Sequence, residues 1–165
     1  MKPQIDLWED FQCPICHAFE GVNNSYINEV VNSGKAKVVF HPMAFIGMES
    51  MIAANAAACS NDQNRYVDFH KALYDNQPAK ENSGQWTNEA MITLGKSIGI
   101  SSSKFSDCVT SGKYMTWIKK INDDAAAKNV NSTPTVFVNG KEIDRKTQYM
   151  DANGFKAALA AGGVK

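Results

Sequence analysis

Residues 10–16 read Asp-Phe-Gln-Cys-Pro-Ile-Cys and lie between a predicted strand and a predicted helix. The strand covers Ile5–Trp8, where polar and apolar residues alternate well enough for a short strand. The helix is predicted over Pro14–Val31, with its proline in the first turn, where a missing N–H costs little. The Cys-x-x-Cys motif of Cys13 and Cys16 therefore lies where a strand is followed by a helix.

The N-terminus of a helix is a favourable place for a reactive cysteine. Unpaired N–H groups and the helix dipole stabilise a thiolate there, and such cysteines have pKa values of ~3.5–7.5 in place of ~8.5. The two-residue spacer brings the second thiol close enough to close a small disulfide ring. We predict that Cys13 is the exposed nucleophile of a redox pair and that Cys16 is the buried thiol that resolves a mixed disulfide. Pro14 and Ile15 are expected to tune the pair.

Two other interpretations of the motif involve haem or zinc. Cys13 to His17 also spells Cys-x-x-Cys-His, the c-type haem attachment pattern of an electron carrier, with His17 as the axial ligand. Haem c domains are usually small and helical, without a preceding strand. A zinc site needs a second close pair of ligands, and the remaining cysteines and histidines are scattered along the chain. We therefore predict no metal ligand and place His17 on the helix near the active thiols.

The rest of the sequence predicts a second strand, a block of helices and a hairpin. Strand Ala36–Phe40 completes a parallel β-α-β unit. Asn139-Gly140 indicates a tight turn between the strands Thr135–Val138 and Lys141–Ile143, and a last helix runs to about Ala161. The helices predicted in between are Met48–Ser60, Asn64–Asn76, Thr87–Ile98, Ser103–Ser111 and Lys113–Lys128.

This order of elements indicates a fold class. A β-α-β unit, a helical block and a β-β-α unit give an α/β fold, in which a small mixed sheet has helices on both faces. We predict one core domain of residues 1–46 and 129–165, with a large all-helical insertion of residues 47–128 packed on it. A length of 165 residues fits a single domain of this kind.

Composition and charge exclude several classes of protein. Hydrophobic residues make up 44% of the chain and charged residues 21%, which is typical of a globular protein and not of a disordered one. The sequence has no run of about 18 apolar residues that would span a membrane. Seventeen basic and seventeen acidic residues cancel, so there is no basic excess to bind nucleic acid.

Cys59 and Cys108 lie 49 positions apart and form no motif with each other. In an oxidising compartment they are candidates for a structural disulfide, and in a reducing compartment they are two buried thiols. We favour the disulfide. The first four residues lack the apolar stretch and the cleavage site of a signal peptide. This leaves two possibilities open: a cytoplasmic protein, or an exported one whose native signal or anchor is absent from this sequence.

Ser132-Thr133-Pro134-Thr135 precedes the predicted third strand. A proline at the start of a strand donates no ladder hydrogen bond and can be cis, although taken alone it is an ordinary feature. Together with Asp6–Gln12, Cys13-Pro14-Ile15-Cys16 and the Thr135–Gly140 strand and turn, it makes the chain resemble the DsbA-like branch of the thioredoxin superfamily. The resemblance covers essentially the whole chain and includes the long helical insertion.

The resemblance implies a thioredoxin fold with an exposed Cys13 and a cis Thr133–Pro134 bond packed beside the disulfide. It also implies that Thr133 offers its backbone to a bound peptide. The implied activity is that of a protein thiol–disulfide oxidoreductase, which needs no cofactor other than its Cys13–Cys16 disulfide. The implied partners are reduced exported proteins and a quinone-linked membrane protein that re-oxidises the pair. The setting that follows is extracytoplasmic, in the periplasm or cell envelope of a bacterium.

Three departures from the family pattern concern the direction of electron flow. Many relatives carry a buried acid six positions before the first cysteine, where this chain has Leu7. The acids that are candidates for this role are Glu9, Asp10 and Asp6. Ile15 replaces the spacer histidine of strongly oxidising relatives, and Thr133 before the proline resembles isomerases and reductases as much as oxidases. We favour an oxidase over an isomerase or reductase, with a cytoplasmic disulfide reductase of the same fold as the alternative.

Overall fold

A four-stranded sheet lies at the centre of the computed structural model, which describes all 165 residues. Its strands are β1 (Gln4–Asp10), β2 (Lys37–Met43), β3 (Thr135–Val138) and β4 (Lys141–Glu142). Their order in the sheet is β2-β1-β3-β4, so that β2 and β4 are the edge strands. β1 pairs in parallel with β2, and the other two neighbouring pairs are antiparallel.

Seven helices accompany the sheet. They are α1 (Pro14–Ser33), α2 (Met48–Asn61), α3 (Tyr66–Asp75), α4 (Asn88–Ser97), α5 (Ser103–Ser111), α6 (Met115–Ala127) and α7 (Ala152–Ala161). The predicted order of elements and the α/β fold class are confirmed. The division into a core and an insertion of residues 47–128 stays a prediction. None of the seven helices combines the length and the apolar character that crossing a bilayer requires.

β1 and β2 are both longer than predicted. The prediction ended β1 at Trp8, but the strand continues to Asp10. The two acids at its end, Glu9 and Asp10, are buried because distant polar groups bind them, and a sequence pattern does not show these partners. β2 was predicted to end at Phe40 and continues to Met43 through Pro42. A proline is tolerated there because β2 is an edge strand, on which alternate N–H groups point away from the sheet.

Local sequence signals set the ends of several elements, among them the predicted Asn139-Gly140 turn. Gly34 follows α1 in the left-handed conformation, with a φ of 66°. The side chains of Thr87 and Ser102 accept hydrogen bonds from N–H groups in the first turns of α4 and α5. Asn139 and Gly140 have φ values of 52° and 82°, as the two-residue turn between β3 and β4 requires.

Two apolar clusters hold the sheet between its helices. Successive side chains of β1 point to opposite faces of the sheet. Ile5 and Leu7 belong to a cluster of 14 buried residues that includes Phe19 of α1 and Phe155 of α7. Trp8 belongs to a cluster of 23 buried residues to which α2–α6 contribute. The helices between β2 and β3 therefore share their core with the sheet.

A disulfide joins two of these helices. Cys59 on α2 and Cys108 on α5 are buried, and their sulfur atoms are bonded. The bond spans a sequence separation of 49 residues. The enclosed loop contains all of α3 and α4, so the bond restrains much of the helical segment when the chain is unfolded.

Removing this disulfide in a Cys59→Ala/Cys108→Ala variant will lower the free energy of unfolding by about 4 kcal/mol, because the unfolded chain regains the entropy of an open loop of this length. Urea unfolding of both proteins measures the loss. Both should also carry Cys13→Ser and Cys16→Ser, so that no other thiol reacts. Dithiothreitol should then abolish the difference in free energy of unfolding between the two proteins. A difference that persists would show that the alanine variant loses stability through altered packing and not through the missing bond.

Candidate active site

Cys13 forms the N-cap of α1, directly after the tight turn that follows β1. Its N–H donates to the Asp10 carbonyl at 3.0 Å, and its extended conformation (φ −71°, ψ 118°) lets Pro14 begin the helix. The N–H of Cys16 donates to the Cys13 sulfur at 3.4 Å. The sulfur thereby occupies the position that a serine or aspartate oxygen takes at other N-caps.

The two thiols have very different pKa values. A hydrogen bond from the Cys16 thiol is the largest cause that lowers the pKa of Cys13 to about 6; partial burial opposes it, and a hydrogen bond with the Thr133 side chain supports it. Burial raises the pKa of Cys16 far above its usual range. At neutral pH Cys13 is therefore mainly a thiolate, and Cys16 is a thiol that donates to it. Since the thiolate is the reactive form of a cysteine, Cys13 remains the candidate nucleophile of the pair.

Cys13 is much less exposed than predicted. Only 7% of the residue is accessible, and Cys16 is fully buried, so the prediction of an exposed nucleophile is wrong. The reason is the loop before β3, whose Thr133 carbonyl oxygen lies 3.6 Å from the Cys13 sulfur and accepts from the protonated thiol. Ile15, in contrast, is 57% exposed. Cys13 nevertheless keeps a small accessible area, which Cys16 lacks.

The loop before β3 forms a second wall of the site. Its Thr133–Pro134 peptide bond is cis, and Thr133 contacts Cys13. The guanidinium of Arg145 donates to the Pro134 carbonyl at 2.9 Å and to the Thr135 hydroxyl at 2.5 Å. Arg145 is absent from the predicted site, because it follows the hairpin and belongs to no motif. It holds the loop through these two hydrogen bonds.

Asp10, one of the predicted tuning acids, is fully buried and accepts four hydrogen bonds. The donors are the N–H of Gln12 (3.0 Å), the hydroxyl of Ser50 (2.6 Å) and the N–H groups of Phe45 (2.9 Å) and Ile46 (3.2 Å). They belong to the turn before Cys13, the loop after β2 and the first turn of α2. The Asp10 carboxylate therefore fixes the segments that carry the reactive sulfur.

Residues at the end of α3 also hold this turn. The Gln77 amide donates to the carbonyl oxygens of Phe11 at 2.8 Å and Cys13 at 3.0 Å. The Tyr74 hydroxyl donates to the Asp10 carbonyl at 3.2 Å. Neither Gln77 nor Tyr74 was predicted, since each lies more than sixty positions from the turn and no local pattern marks it. The helical segment thus takes part in positioning Cys13.

The other two candidate acids lie in separate environments. Asp6 is half-buried and pairs with His41 at 2.8 Å. Glu9 is buried, and its Oε1 lies 3.1 Å from Nε2 of His70. Glu20 lies 3.6 Å from the same nitrogen and was not predicted. His70, which is not among the predicted site residues, is thus part of a buried cluster with two acids.

Burial dominates the electrostatics of this cluster. It raises the pKa of Glu9 to about 7 and that of Glu20 well above its usual range, and it lowers the pKa of His70. The negative charge of Cys13 also raises the pKa of Glu9, and a charged Glu9 raises the pKa of Cys16. Of the three candidate acids, Glu9 is therefore the one that is coupled to both thiols.

His17 lies on the exposed side of α1, as a helix residue near the thiols. Its Nδ1 lies 2.8 Å from the carbonyl oxygen of Tyr74, so that it connects α1 to α3. The Cys16 sulfur points into the core and is fully buried. A haem on the surface beside His17 would be out of reach of that sulfur, and the geometry does not suit c-type haem attachment.

A family model described as thioredoxin matches residues 2–159. Disulfide bond formation protein D of Bacillus subtilis is 26% identical over 145 residues, which are 85% of this chain and 64% of that protein. Probable disulfide bond formation protein D of Bacillus anthracis is 28% identical over 137 residues, which are 79% of this chain and 62% of that protein. The chain therefore spans less than two thirds of the length of these relatives.

The chain is also similar to solved structures of disulfide oxidoreductases. DsbA from Mycobacterium tuberculosis in its reduced form has a TM-score of 0.76 at 31% identity and covers 97% of this chain and 89% of its own. DsbG from the same organism, a disulfide bond oxidoreductase in its reduced form, has a TM-score of 0.80 at 31% identity, with coverages of 99% and 80%. BdbD from Bacillus subtilis, at 24% identity and a TM-score of 0.82, is alike in fold. The predicted thioredoxin fold is confirmed.

Replacing Ile15 with histidine will lower the pKa of Cys13 below its value of about 6 and raise the reduction potential of the pair. The exposed isoleucine donates no hydrogen bond, whereas an imidazolium at the same place stabilises the thiolate. Titration of thiolate ultraviolet absorbance in both proteins measures the pKa, with Ile15→Leu as the control without a donor. A wild-type pKa near the unperturbed value of about 8.5, or no change in Ile15→His, would contradict this account of the site.

The reduced protein will become more stable relative to a Cys13→Ser variant as pH rises from 6 to about 9. The folded pKa of Cys13 is about 6 and the unfolded one is about 8.5, so folding favours the thiolate. The contribution is fully present above the unfolded pKa and is lost as pH falls through 6. It amounts to at most about 3 kcal/mol, less solvent screening.

Urea unfolding under reducing conditions at several pH values measures this difference. Groups that are not coupled to Cys13 titrate alike in both proteins, so their effect cancels in the comparison. A stability difference that stays flat between pH 6 and 9 would show that Cys13 has an ordinary pKa in the folded protein.

Proposed function

We propose that this chain, which belongs to the thioredoxin family, is a protein thiol–disulfide oxidoreductase that introduces disulfides into exported proteins. The observation that carries the proposal is the unequal pair at the start of α1, where the pKa of Cys13 is lowered to about 6 and that of Cys16 is raised by burial. The names of its relatives, disulfide bond formation protein D and disulfide bond oxidoreductase, support the same activity.

The reaction starts from the oxidised form, in which Cys13 and Cys16 are joined by a disulfide. A substrate thiolate attacks the Cys13 sulfur, because Cys16 is fully buried. An S–S bond to the substrate forms, the Cys13–Cys16 bond breaks, and Cys16 leaves and takes up a proton. A second substrate thiolate attacks the substrate sulfur of this mixed disulfide and releases the Cys13 thiolate. The substrate loses two electrons, which the cysteine pair gains, so no other cofactor takes part.

The direction of electron flow follows from the stability of the products. A thiolate with a low pKa is a good leaving group, and its stabilisation favours the reduced form of the pair, which makes the disulfide an oxidant. The pKa of Cys13 at about 6 therefore supports oxidation of substrates over their reduction or rearrangement. Ile15 adds no hydrogen bond, so this chain is a milder oxidant than relatives with a spacer histidine.

The Cys59–Cys108 disulfide supports an extracytoplasmic location. Structural disulfides persist in oxidising compartments and are rare in the cytosol, where thiols are kept reduced. We therefore assign the protein to the periplasm or cell envelope in preference to the cytoplasmic reductase alternative. A quinone-linked membrane protein would accept the electrons of Cys13 and Cys16 and restore their disulfide.

Exposed apolar side chains at the start of α1, and on the loop and first turn of α2 that the Asp10 carboxylate binds, suit unfolded substrates. Ile15 is 57% exposed, Phe45 49% and Met48 66%, and large apolar side chains exposed together mark interaction surfaces. The N–H of Thr133 donates to no group in the structure. Thr133 is therefore placed to bind the backbone of an extended peptide while apolar side chains of the substrate contact the surface beside it.

A Cys16→Ser variant incubated with disulfide-bonded exported proteins will accumulate mixed disulfides through Cys13. The Cys13 thiolate attacks a protein disulfide, one protein sulfur leaves as a thiolate, and Cys16, the thiol that would resolve the new bond, is missing. A Cys13→Ser variant will form none and will not catalyse exchange. Non-reducing electrophoresis followed by mass mapping of the joined peptides measures both results. The matched control is Cys59→Ala/Cys108→Ala, which keeps the active pair and should oxidise a reduced substrate at the rate of the wild type when folded.

Stable complexes through Cys16 in the Cys13→Ser protein would reverse the roles assigned here. The direction of the reaction is measured separately, by equilibrating the pair with glutathione buffers. A potential nearer about −120 mV is expected for an oxidase, and one at about −270 mV would make the protein a reductase.

A further inference from the structure

Three metal-ligand atoms lie close together in the interior, on β1, α1 and α3. Nε2 of His70 lies 3.1 Å from a carboxylate oxygen of Glu9 and 3.6 Å from one of Glu20, and one ligand atom of each residue lies within 4.8 Å of the other two. Each of these side chains is almost completely buried. Tetrahedral ligands ~2.1 Å from a zinc ion are ~3.4 Å apart, so the observed separations match those around a bound ion.

Two carboxylate oxygens of this cluster have no hydrogen-bond donor. They are Oε2 of Glu9 and Oε1 of Glu20, whereas the other oxygen of Glu20 accepts from the Asn24 amide at 2.9 Å. A buried carboxylate is costly unless it is paired with a positive charge or fully hydrogen-bonded. The free oxygens of two acids beside one imidazole are therefore places where a cation would be stabilised.

We propose that Glu9, Glu20 and His70 bind one divalent transition-metal ion such as Zn²⁺ or Mn²⁺. Imidazole is a ligand for Zn²⁺ and its neighbours in the first transition row, and carboxylate is a ligand for both Zn²⁺ and Mn²⁺. The two carboxylates balance the charge of such an ion in the interior. None of the four cysteines is a ligand, so the site does not use the sulfur atoms of the proposed redox pair.

An ion has a polar route to the cluster. A cavity of about 380 Å³ lies between α1 and α3, and Glu20 and Asn24 are part of its wall together with the exposed His17. The wall is mainly polar, with one hydrophobic residue among nine. Glu20 thus connects the buried ligand atoms with an opening on the surface.

Protons are the alternative occupants of the same atoms. One proton shared by the two carboxyl groups and one on His70 would balance the cluster without a metal ion. Titration with a metal ion distinguishes the two occupants. If the cluster is a metal site, one ion per protein displaces the protons and binds the His70 nitrogen at low ion concentration. If the cluster is stable with shared protons, it takes up no ion.

The test uses a protein with Cys13→Ser and Cys16→Ser, since free thiolates would bind the same ions, and with metals removed by a chelator. The chain has three histidines, so imidazole NMR signals can be followed one by one while Mn²⁺ is added below equimolar amounts. We expect the signal of His70 to broaden first. Broadening of His17 or His41 before His70 would overturn the proposal.

Calorimetric titration with Zn²⁺ measures stoichiometry and affinity in the same protein. We expect one tight site, weakened ~100-fold or more in Glu20→Gln, since even indirect partners of a metal change affinity by ~10–100-fold. Glu29→Gln, on the exposed face of α1, is the matched control and should bind as the parent does. Equal affinity in Glu20→Gln and Glu29→Gln would mean surface binding and would refute the site.

Thermal unfolding gives a result that does not require Glu20→Gln to fold. An ion that binds only the native state stabilises it by an amount that rises with the logarithm of the ion concentration once this exceeds the dissociation constant, and the melting temperature rises accordingly. The protein with Cys13→Ser and Cys16→Ser should therefore melt at a higher temperature with Zn²⁺ than with Mg²⁺, since Mg²⁺ prefers oxygen ligands to imidazole. If Zn²⁺ does not raise the melting temperature, the cluster is occupied by protons and the proposal is overturned.

Discussion

The carboxylate of Asp10 is the contact on which the geometry of the active site depends. Removing a carboxylate from water is costly unless hydrogen bonds replace its hydration, and Asp10 accepts four from three separate segments. The turn before Cys13, the loop after β2 and the first turn of α2 are thereby held in one arrangement. The start of α1 is fixed relative to both the sheet and the helical segment, and the position of the reactive sulfur follows from it.

A single turn of α1 separates two chemical environments. Cys13 lies at the open end of the helix, where N–H groups have no partner in the helix and a thiolate is stabilised. Both cysteines belong to the apolar cluster that the sheet shares with α2–α6, but Cys16, one turn further, is fully buried in it, where a thiolate is costly. The difference in pKa between two chemically identical thiols therefore comes from their positions on α1 and from the packing around it. In the proposed exchange, this difference gives each cysteine a separate role.

The part of the fold that could be predicted is the part encoded within a few residues. Gly34, Thr87 and Ser102 mark the ends of helices through their own backbone or side chain, and the Cys-x-x-Cys spacing is meaningful at any position that begins a helix. Contacts between distant segments carry no such mark. Glu20 and His70 are 50 positions apart, and the loop that covers Cys13 comes from Thr133, 120 positions further along the chain. Only the folded structure brings these groups together, which is why the covered nucleophile and the buried cluster were not predicted.

The proline in β2 affects more than the length of that strand. An edge strand has unpaired N–H and C=O groups, to which a strand of another chain can add, and this is a common first step of aggregation. Pro42 has no N–H to offer, Lys37 places a charge at the other end of the strand, and α6 packs against β2. Lysines, prolines and covering helices are the means by which natural sheets block their edges. A protein with the proposed function would meet many unfolded segments able to add as strands, and this blocked edge would keep its own sheet from becoming a template for their aggregation.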